Sequence, residues 1–365
     1  MRLLSLSLIS LWVSLWPAMA DMRLEKIGPD LTHPWGMDLT DDGSVLVTTR
    51  PGQLYHIKLQ SATGNDIGKQ IGNLPEVAHF GQGGLLDVAI AGDDIFLCYA
   101  KPFANGAATA IDKAKLRGDR LTGRMTIFTS NRKVESAHHF GCRLVLDDSY
   151  LYASFGDRGM RHSAQKPAFH DGSIIRIHQD GTIPDDNPRL DGWAEGIFSI
   201  GHRNPQGMAL HPETGALWAH EHGPKGGDEI NIITQGGNYG WPVVSHGKEY
   251  GTDKPVSKLT SHPQMIDPVW VWVPSIAPSG MAFYPKEAAM FPQLQNSLLV
   301  GSLKFKRLYQ VMMGADGLPA NEAIILDKSL GRIRDVMIAP DGSILILNDA
   351  SALSNPAGGL YRLSQ

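Results

Sequence analysis

The residues between positions 201 and 241 combine two kinds of chemistry within one short stretch. They contain an Arg-Asn-Pro-Gln cluster that begins at Arg203, a Gly-Pro turn at Gly223 and an acidic pair that begins at Asp228. The cluster offers cationic and polar donors for a polyanion, and the turn and acidic pair offer oxygen ligands for a hard cation. A sheet with a purely structural role does not require both sets of groups. The segment therefore predicts an anionic cofactor bound together with calcium.

His139, which lies just ahead of a predicted strand, is the candidate general base. An unperturbed imidazole has a pKa near 6.5, so it accepts a proton from an alcohol near neutral pH. The chain has 14 histidines, however, and a surface or hydrogen-bonded structural role is the alternative for any one of them. His138, its neighbour, leaves open how the pKa of the base is set.

Three further cationic candidates are Lys304, Arg332 and Arg334. Residues two apart on a strand point to the same face, so the two arginines are placed to hold carboxylates together. The alternative is a surface ladder in which they pair with acids such as Asp335.

The predicted metal ligands are oxygen donors of mixed type, which calcium accepts in irregular loops. They are the Glu229 carboxylate and the carbonyl groups of Gly223, Pro224 and Tyr239. His220 and His222 raise the alternative of zinc. Against it, the segment lacks the HExxH spacing and an obvious third ligand.

A loose repeat predicts the elements that must position these residues. Six copies of a strand, a turn and a second strand begin near Trp35, Leu85, Arg143, Gln206, Ser279 and Arg334. Alternating apolar residues around Asp-Gly or Thr-Gly turns are typical of hairpins. Six such hairpins predict an all-β fold, a six-bladed β-propeller with long insertions on one face. A two-sheet sandwich is the structural alternative.

The first twenty residues have the layout of a secretory signal peptide, with a basic start, an apolar core and a small-residue cleavage site ending at Ala20. A retained membrane anchor is the alternative. Residues 21–365 are then expected to form a single catalytic propeller domain, periplasmic or secreted. The net charge of −4 and the absence of basic runs argue against nucleic-acid binding. Cys98 and Cys142 are the two cysteines, and a bridge between them stays open.

Nine motifs in one order closely resemble the soluble aldose sugar dehydrogenases, relatives of soluble glucose dehydrogenase that use pyrroloquinoline quinone (PQQ). The resemblance covers nearly all of the mature chain. The motifs begin at Gly81 (GQGGLLD), His139 (HFGCRL), Gly156 (GDRG), Gly201 (GHRNPQG), Glu221 (EHGP), Gly227 (GDEIN), Asn238 (NYGWP), Pro274 (PSIAPSG) and Arg332 (RIRDV).

The resemblance implies a role for each matching residue. His139 would be the catalytic base. The residues surrounding PQQ would be Gln82, Arg203, Asn204, Tyr250, Lys304, Arg332 and Arg334, with Gln206 as a further contact. The carbonyl groups of Gly223 and Pro224 would hold the calcium that touches PQQ, and Glu229 and Tyr239 would help bind a second, structural calcium.

The implied reaction is the oxidation of an aldose at its anomeric carbon to an aldonolactone. PQQ carries three carboxylates and an electrophilic ortho-quinone, so it needs cations at its rim and a Lewis acid at its reactive carbonyl. The sequence leaves open the preferred sugar, the natural electron acceptor and whether the protein is a monomer or a homodimer. A calcium-dependent lactonase-type hydrolase and a non-catalytic binding propeller are the alternative functions for this fold.

Overall fold

A computed structural model describes residues 22–59, 68–349 and 357–365, so the predicted signal peptide lies outside the described residues. Their strands, in chain order, are β1 (Arg23–Thr32), β2 (Pro34–Leu39), β3 (Ser44–Thr49), β4 (Gln53–Lys58), β5 (Lys69–Gln70), β6 (Leu85–Ala91), β7 (Asp94–Phe103), β8 (Gly106–Arg117), β9 (Arg120–Thr129), β10 (Leu144–Leu146), β11 (Tyr150–Phe155), β12 (Ser173–His178), β13 (Ile197–Ile200), β14 (Pro205–Leu210), β15 (Leu217–Glu221), β16 (Asp228–Ile233), β17 (Trp270–Trp272), β18 (Pro278–Tyr284), β19 (Ser297–Ser302), β20 (Arg307–Met313), β21 (Pro319–Asp327), β22 (Arg332–Ile338), β23 (Ile344–Asp349) and β24 (Ala357–Ser364).

These strands form six antiparallel sheets of four strands each, which are the blades of a β-propeller. Blades 1 to 5 are built from consecutive strands, β2–β5, β6–β9, β10–β13, β14–β17 and β18–β21. Blade 6 contains β22, β23 and β24 and is completed by β1, which pairs with β24. The N-terminal strand therefore closes the ring. The six-bladed prediction is confirmed, and the sandwich alternative is wrong.

The helical content of the described residues is confined to two short 3-10 helices, Arg161–Gln165 and Pro292–Leu294. Within the same three ranges, no helix has the length and hydrophobicity needed to cross a bilayer.

The six sequence repeats coincide with the first two strands of the six blades. Apolar side chains from adjacent sheets pack into separate clusters, such as the one between blades 2 and 3 that includes Phe96, Phe140 and Ile175. The Cys98–Cys142 disulfide lies in this cluster and links β7 to the segment that leads into β10. The bridge left open by the sequence therefore forms.

The same position in the six repeats carries Gly36, Asp87, Arg143, Gly207, Gly280 and Asp335. Arg143 Nη1 donates to Asp87 Oδ1 and to Asp335 Oδ2, each at 3.0 Å, so side chains from blades 2, 3 and 6 meet. A Cβ atom on Gly280 would lie 2.1 Å from Asp335 Oδ1, which is too close for any side chain. Glycine at this position makes room for the buried ions of the neighbouring blades.

Candidate active site

A cavity of about 550 Å³ lies where the inner strands of the blades begin, and all six blades contribute to its wall. Six of the predicted cofactor-binding residues line it: Gln82, Asn204, Gln206, Lys304, Arg332 and Arg334. They come from blades 2, 4, 5 and 6 or the segments that lead into them. The fold therefore brings together cations that are far apart in the sequence.

The two arginines of β22 both face this cavity, as their spacing predicts, so the surface-ladder alternative is wrong. Their Nε atoms are buried and have no hydrogen-bond partner among the described residues. Arg334 Nη1 makes a long bond of 3.3 Å to Gln206 Oε1. Burial, reinforced by Arg332 and other neighbouring guanidinium groups, lowers the pKa of Arg334 to about 9, although the nearby Asp349 carboxylate opposes this effect. Buried cations without carboxylate partners are the signature of a site for an anion.

His139 lies in the segment that leads into β10, with its Nδ1 atom 2.6 Å from Asp157 Oδ1. Its backbone N–H donates to Gln82 Oε1 at 2.8 Å, which ties the histidine to a residue of the cavity wall. Burial lowers the pKa of His139, although the Asp157 carboxylate opposes this effect, and Arg203 and His138 add to the lowering. The imidazole is therefore neutral near pH 7, which is the state a general base requires.

Asp157 is itself held in place by two further donors. Its Oδ1 atom accepts the Gly159 N–H at 2.7 Å, and its Oδ2 atom accepts Trp241 Nε1–H at 2.8 Å. These bonds fix the carboxylate so that it accepts the Nδ1 proton of His139, which leaves Nε2 as the basic nitrogen. Nε2 has no hydrogen-bond partner in the part of the chain that the structure describes.

The predicted carbonyl ligands lie beside the residues expected to contact the cofactor. Arg203 Nη1 donates to the carbonyl oxygen of Gly223 at 2.9 Å. The exposed Tyr250 donates its hydroxyl proton to the carbonyl oxygen of Pro224 at 2.7 Å. A carbonyl oxygen has a second lone pair that can bind a cation. Arg203 and Tyr250 therefore lie at the two predicted carbonyl ligands and are not among the residues that line the cavity.

Glu229 and Tyr239 line a second, small cavity of about 10 Å³ together with Gly223 and Glu221. Burial and the nearby Glu221 carboxylate raise the pKa of Glu229 well above its usual value. Two carboxylates held this close favour a bound cation. A group of three or more His, Cys, Asp or Glu side chains arranged for a metal is absent from the described residues. His222 Nε2 lies 2.6 Å from the Pro278 carbonyl oxygen, so that histidine is already bonded.

Several residues of the site were not predicted from the sequence. Trp35, Arg50, Lys306 and Asp349 also line the large cavity. Asp157 lies inside the GDRG motif, which was noted without a role for its acid. A glycine-flanked acid after an apolar strand was the available signal for Asp157, whereas nothing in the local sequence distinguishes Arg50.

The fold and the site together define a six-bladed propeller with a cationic axial cavity beside a histidine–aspartate pair. The family model for glucose/sorbosone dehydrogenase matches residues 31–361. The chain therefore belongs to the glucose/sorbosone dehydrogenase family, as the motif series predicts, and is an oxidoreductase.

Individual relatives agree with this assignment. The aldose sugar dehydrogenase YliI of Escherichia coli (strain K12) is 39% identical over 358 residues, which cover 94% of this chain and 95% of the relative. The apo-form structure of the soluble aldose sugar dehydrogenase of Escherichia coli is similar with a TM-score of 0.86 and 36% identity, over 94% of this chain and 99% of that one. A PQQ-bound aldose sugar dehydrogenase from Streptomyces coelicolor shares the fold, with a TM-score of 0.74 at 23% identity over 94% and 99% of the two chains.

Proposed function

We propose that this protein is a periplasmic aldose dehydrogenase that uses PQQ and calcium and converts the anomeric carbon of a sugar into a lactone. The observation that carries the proposal is the convergence of Lys304, Arg332 and Arg334 on one cavity wall, where none of the three forms an ion pair with a carboxylate among the described residues. The names of the relatives support the substrate class and the cofactor.

The residues of the cavity fit PQQ by the chemistry of their donors. Lys304, Arg332 and Arg334 supply positive charge for three carboxylates, and Gln82 and Asn204 supply amide groups that bond polar ring atoms. The buried Nε–H groups of Arg332 and Arg334 lack acceptors among the described residues, and a bound carboxylate would supply them.

The fit of calcium differs between its two proposed sites. At Gly223 and Pro224 the ligands are neutral carbonyl groups, and the Arg203 guanidinium already bonds Gly223. A calcium ion there would lie beside a cation, so the negative charge that holds it has to come from the cofactor carboxylates. The Glu229 site has acidic side chains of its own, because Glu221 is close by, and a cation bound there would favour the ionised form of Glu229 against the burial that raises its pKa. We therefore expect the first site to depend on PQQ and the second to form without it.

When bound, PQQ supplies an electrophilic quinone that accepts a hydride from the sugar. The chain itself supplies the base. His139 Nε2 takes the proton of the anomeric hydroxyl, and Asp157 keeps the other ring proton on Nδ1 and stabilises the imidazolium that forms. Trp241 and the Gly159 N–H hold Asp157, so the base keeps one orientation.

Two observations support export to the periplasm. The first twenty residues have the layout of a signal peptide. The Cys98–Cys142 disulfide is of a kind that persists in oxidising compartments and is rare in the cytosol.

The test is reconstitution of the purified protein with PQQ and calcium, followed by dye reduction with glucose, galactose and maltose. We expect turnover, and His139→Gln should lower it by about 10² to 10⁴ while PQQ affinity changes little. His178→Gln on β12 is the matched control and should keep full activity. Failure to oxidise any aldose would overturn the proposal, and lactone hydrolysis without PQQ would favour the hydrolase instead.

A further inference from the structure

The axial cavity holds more positive charge than the proposed cofactor can neutralise. Among the residues that the structure describes, five cationic side chains line it, Arg50, Lys304, Lys306, Arg332 and Arg334, against the single carboxylate of Asp349. Three carboxylates on PQQ would leave at least one cation unmatched. Arg50 and Lys306 are the two without an assigned role, and Arg50 is the less exposed of them.

Arg50 lies next to the loop that supports the catalytic base. It directly follows β3, and its Nη1 atom donates to the Gly81 carbonyl oxygen at 2.7 Å. The next residue, Gln82, accepts the backbone N–H of His139 through Oε1 at 2.8 Å. A single turn therefore has the Arg50 guanidinium bonded to one residue and the backbone of His139 bonded to the next. We expect a molecule bound against this turn to reach both residues.

The guanidinium of Arg50 has no salt bridge within 4.0 Å among the described residues. Asp349 is near enough to favour its charge, but the carboxylate bonds His33 Nδ1 at 3.0 Å. Burial, together with the neighbouring Arg332, lowers the pKa of Arg50. An anion placed here would relieve both the partial loss of hydration and the repulsion from Arg332.

We propose that Arg50 forms an anion subsite for the substrate, and that the preferred aldoses carry a negative group remote from the anomeric carbon. The carboxylate of a uronic acid and the phosphate of a sugar phosphate share the required chemistry, because a guanidinium binds both in a bidentate manner. This inference rests on the proposed function, because it places the sugar with its anomeric hydroxyl at His139 and its acidic end toward Arg50.

The test uses sugars that bind but cannot be oxidised at the anomeric carbon. Calorimetry on the protein loaded with PQQ and calcium would compare methyl β-D-glucuronide, methyl β-D-glucoside 6-phosphate and the neutral methyl β-D-glucoside. We expect one or both anionic glycosides to bind about tenfold or more tightly than the neutral one, because a charge-assisted hydrogen bond supplies that much binding free energy. Preference for the carboxylate or the phosphate identifies the source of the anion.

Variants test whether Arg50 causes the preference for the anionic glycosides. Arg50→Gln should abolish the preference for the anionic glycosides, Arg50→Lys should keep part of it, and Arg120→Gln on the exposed start of β9 should keep all of it at the same net charge. Equal affinity for all three glycosides in the wild type, or a preference that survives Arg50→Gln in a folded variant, would overturn the inference. Because these glycosides need no turnover, a protein that discriminates among them without oxidising any aldose would refute the proposed function alone.

Discussion

Replacing Asp157 with asparagine would keep the size of this side chain and remove the negative charge beside His139. The carboxylate is 1% exposed, and its Oδ1 atom lies 2.6 Å from His139 Nδ1. An asparagine oxygen can still accept one of the surrounding bonds, so we expect the fold to persist. The imidazole would lose the partner that fixes its ring proton and stabilises its charged form.

We expect a large loss of turnover because the Asp157 carboxylate sets both the charge and the tautomer of the same imidazole. A positioned general base contributes about 10² to 10⁴ in rate, and a base held in the wrong tautomer loses most of that contribution. We therefore expect Asp157→Asn to lower kcat by about 10² to 10⁴. PQQ affinity should change only slightly, since Asp157 is absent from the wall of the large cavity.

The pH profile supplies a readout that a merely structural role would not move. The base works when neutral, so turnover rises as the pH rises through the pKa of His139. Asp157 raises that pKa against the lowering by burial. Its removal should lower the pKa and shift the acidic limb of the kcat profile to lower pH.

The assay is dye reduction in saturating glucose across the pH range, with PQQ binding measured separately by fluorescence. Asp180→Asn, in an exposed turn, is the control and should match the wild type. An unmoved acidic limb, or a loss of PQQ affinity equal to the loss of rate, would refute the assignment of Asp157 as the residue that positions the base.

Three further predictions concern the cations, the metal and the disulfide. Arg334→Met should weaken PQQ binding at least tenfold in titrations yet raise the melting temperature of the unloaded protein, because it removes a buried charge that bonds no carboxylate among the described residues. Arg143→Met should instead lower the melting temperature and cost about 3–5 kcal/mol of unfolding free energy, because it leaves two carboxylates uncompensated. Melting shifts of the same sign for both variants would contradict this reasoning. Calorimetry after chelator treatment should detect one calcium site without PQQ and two with it, and two sites in the absence of PQQ would contradict this prediction. Serine at both Cys98 and Cys142, which are 44 residues apart, should lower the unfolding free energy by about 4 kcal/mol in denaturant titrations, and unchanged stability would rule out the constraint.

The blade count was predictable because each repeat carries its own local signals. Alternating apolar residues and Asp-Gly turns specify a hairpin without knowledge of its neighbours. The closure of blade 6 by β1 was not predictable in the same way, since that pairing joins the two ends of the chain. The Cys98–Cys142 bridge stayed open for a similar reason, because proximity across two blades depends on the packed ring.

The site residues show the same contrast between local sequence signals and contacts that form only in the folded ring. Arg332 and Arg334 were identified together because their spacing on one strand fixes a shared face. The pairing of His139 with Asp157 joins two segments that meet only once β10 and β11 are aligned. Arg50 follows a strand of blade 1 in an ordinary turn, and only its position on the ring places it in the cavity.

Two buried arginines near the axis show how structural and binding cations can be told apart. Burial opposes the charge of Arg143, but the carboxylates of Asp335 and Asp87 outweigh burial and raise its pKa. Arg334 directly precedes Asp335 in β22 and is equally buried, but there burial lowers the pKa to about 9, because Asp349 offsets it only in part and neighbouring cations add to the lowering. The chain thus neutralises one guanidinium with two carboxylates and leaves the other without a bonded carboxylate among the described residues. A fold tolerates such an uncompensated charge where an external anion completes it, and for this reason we expect these cations to mark the binding site.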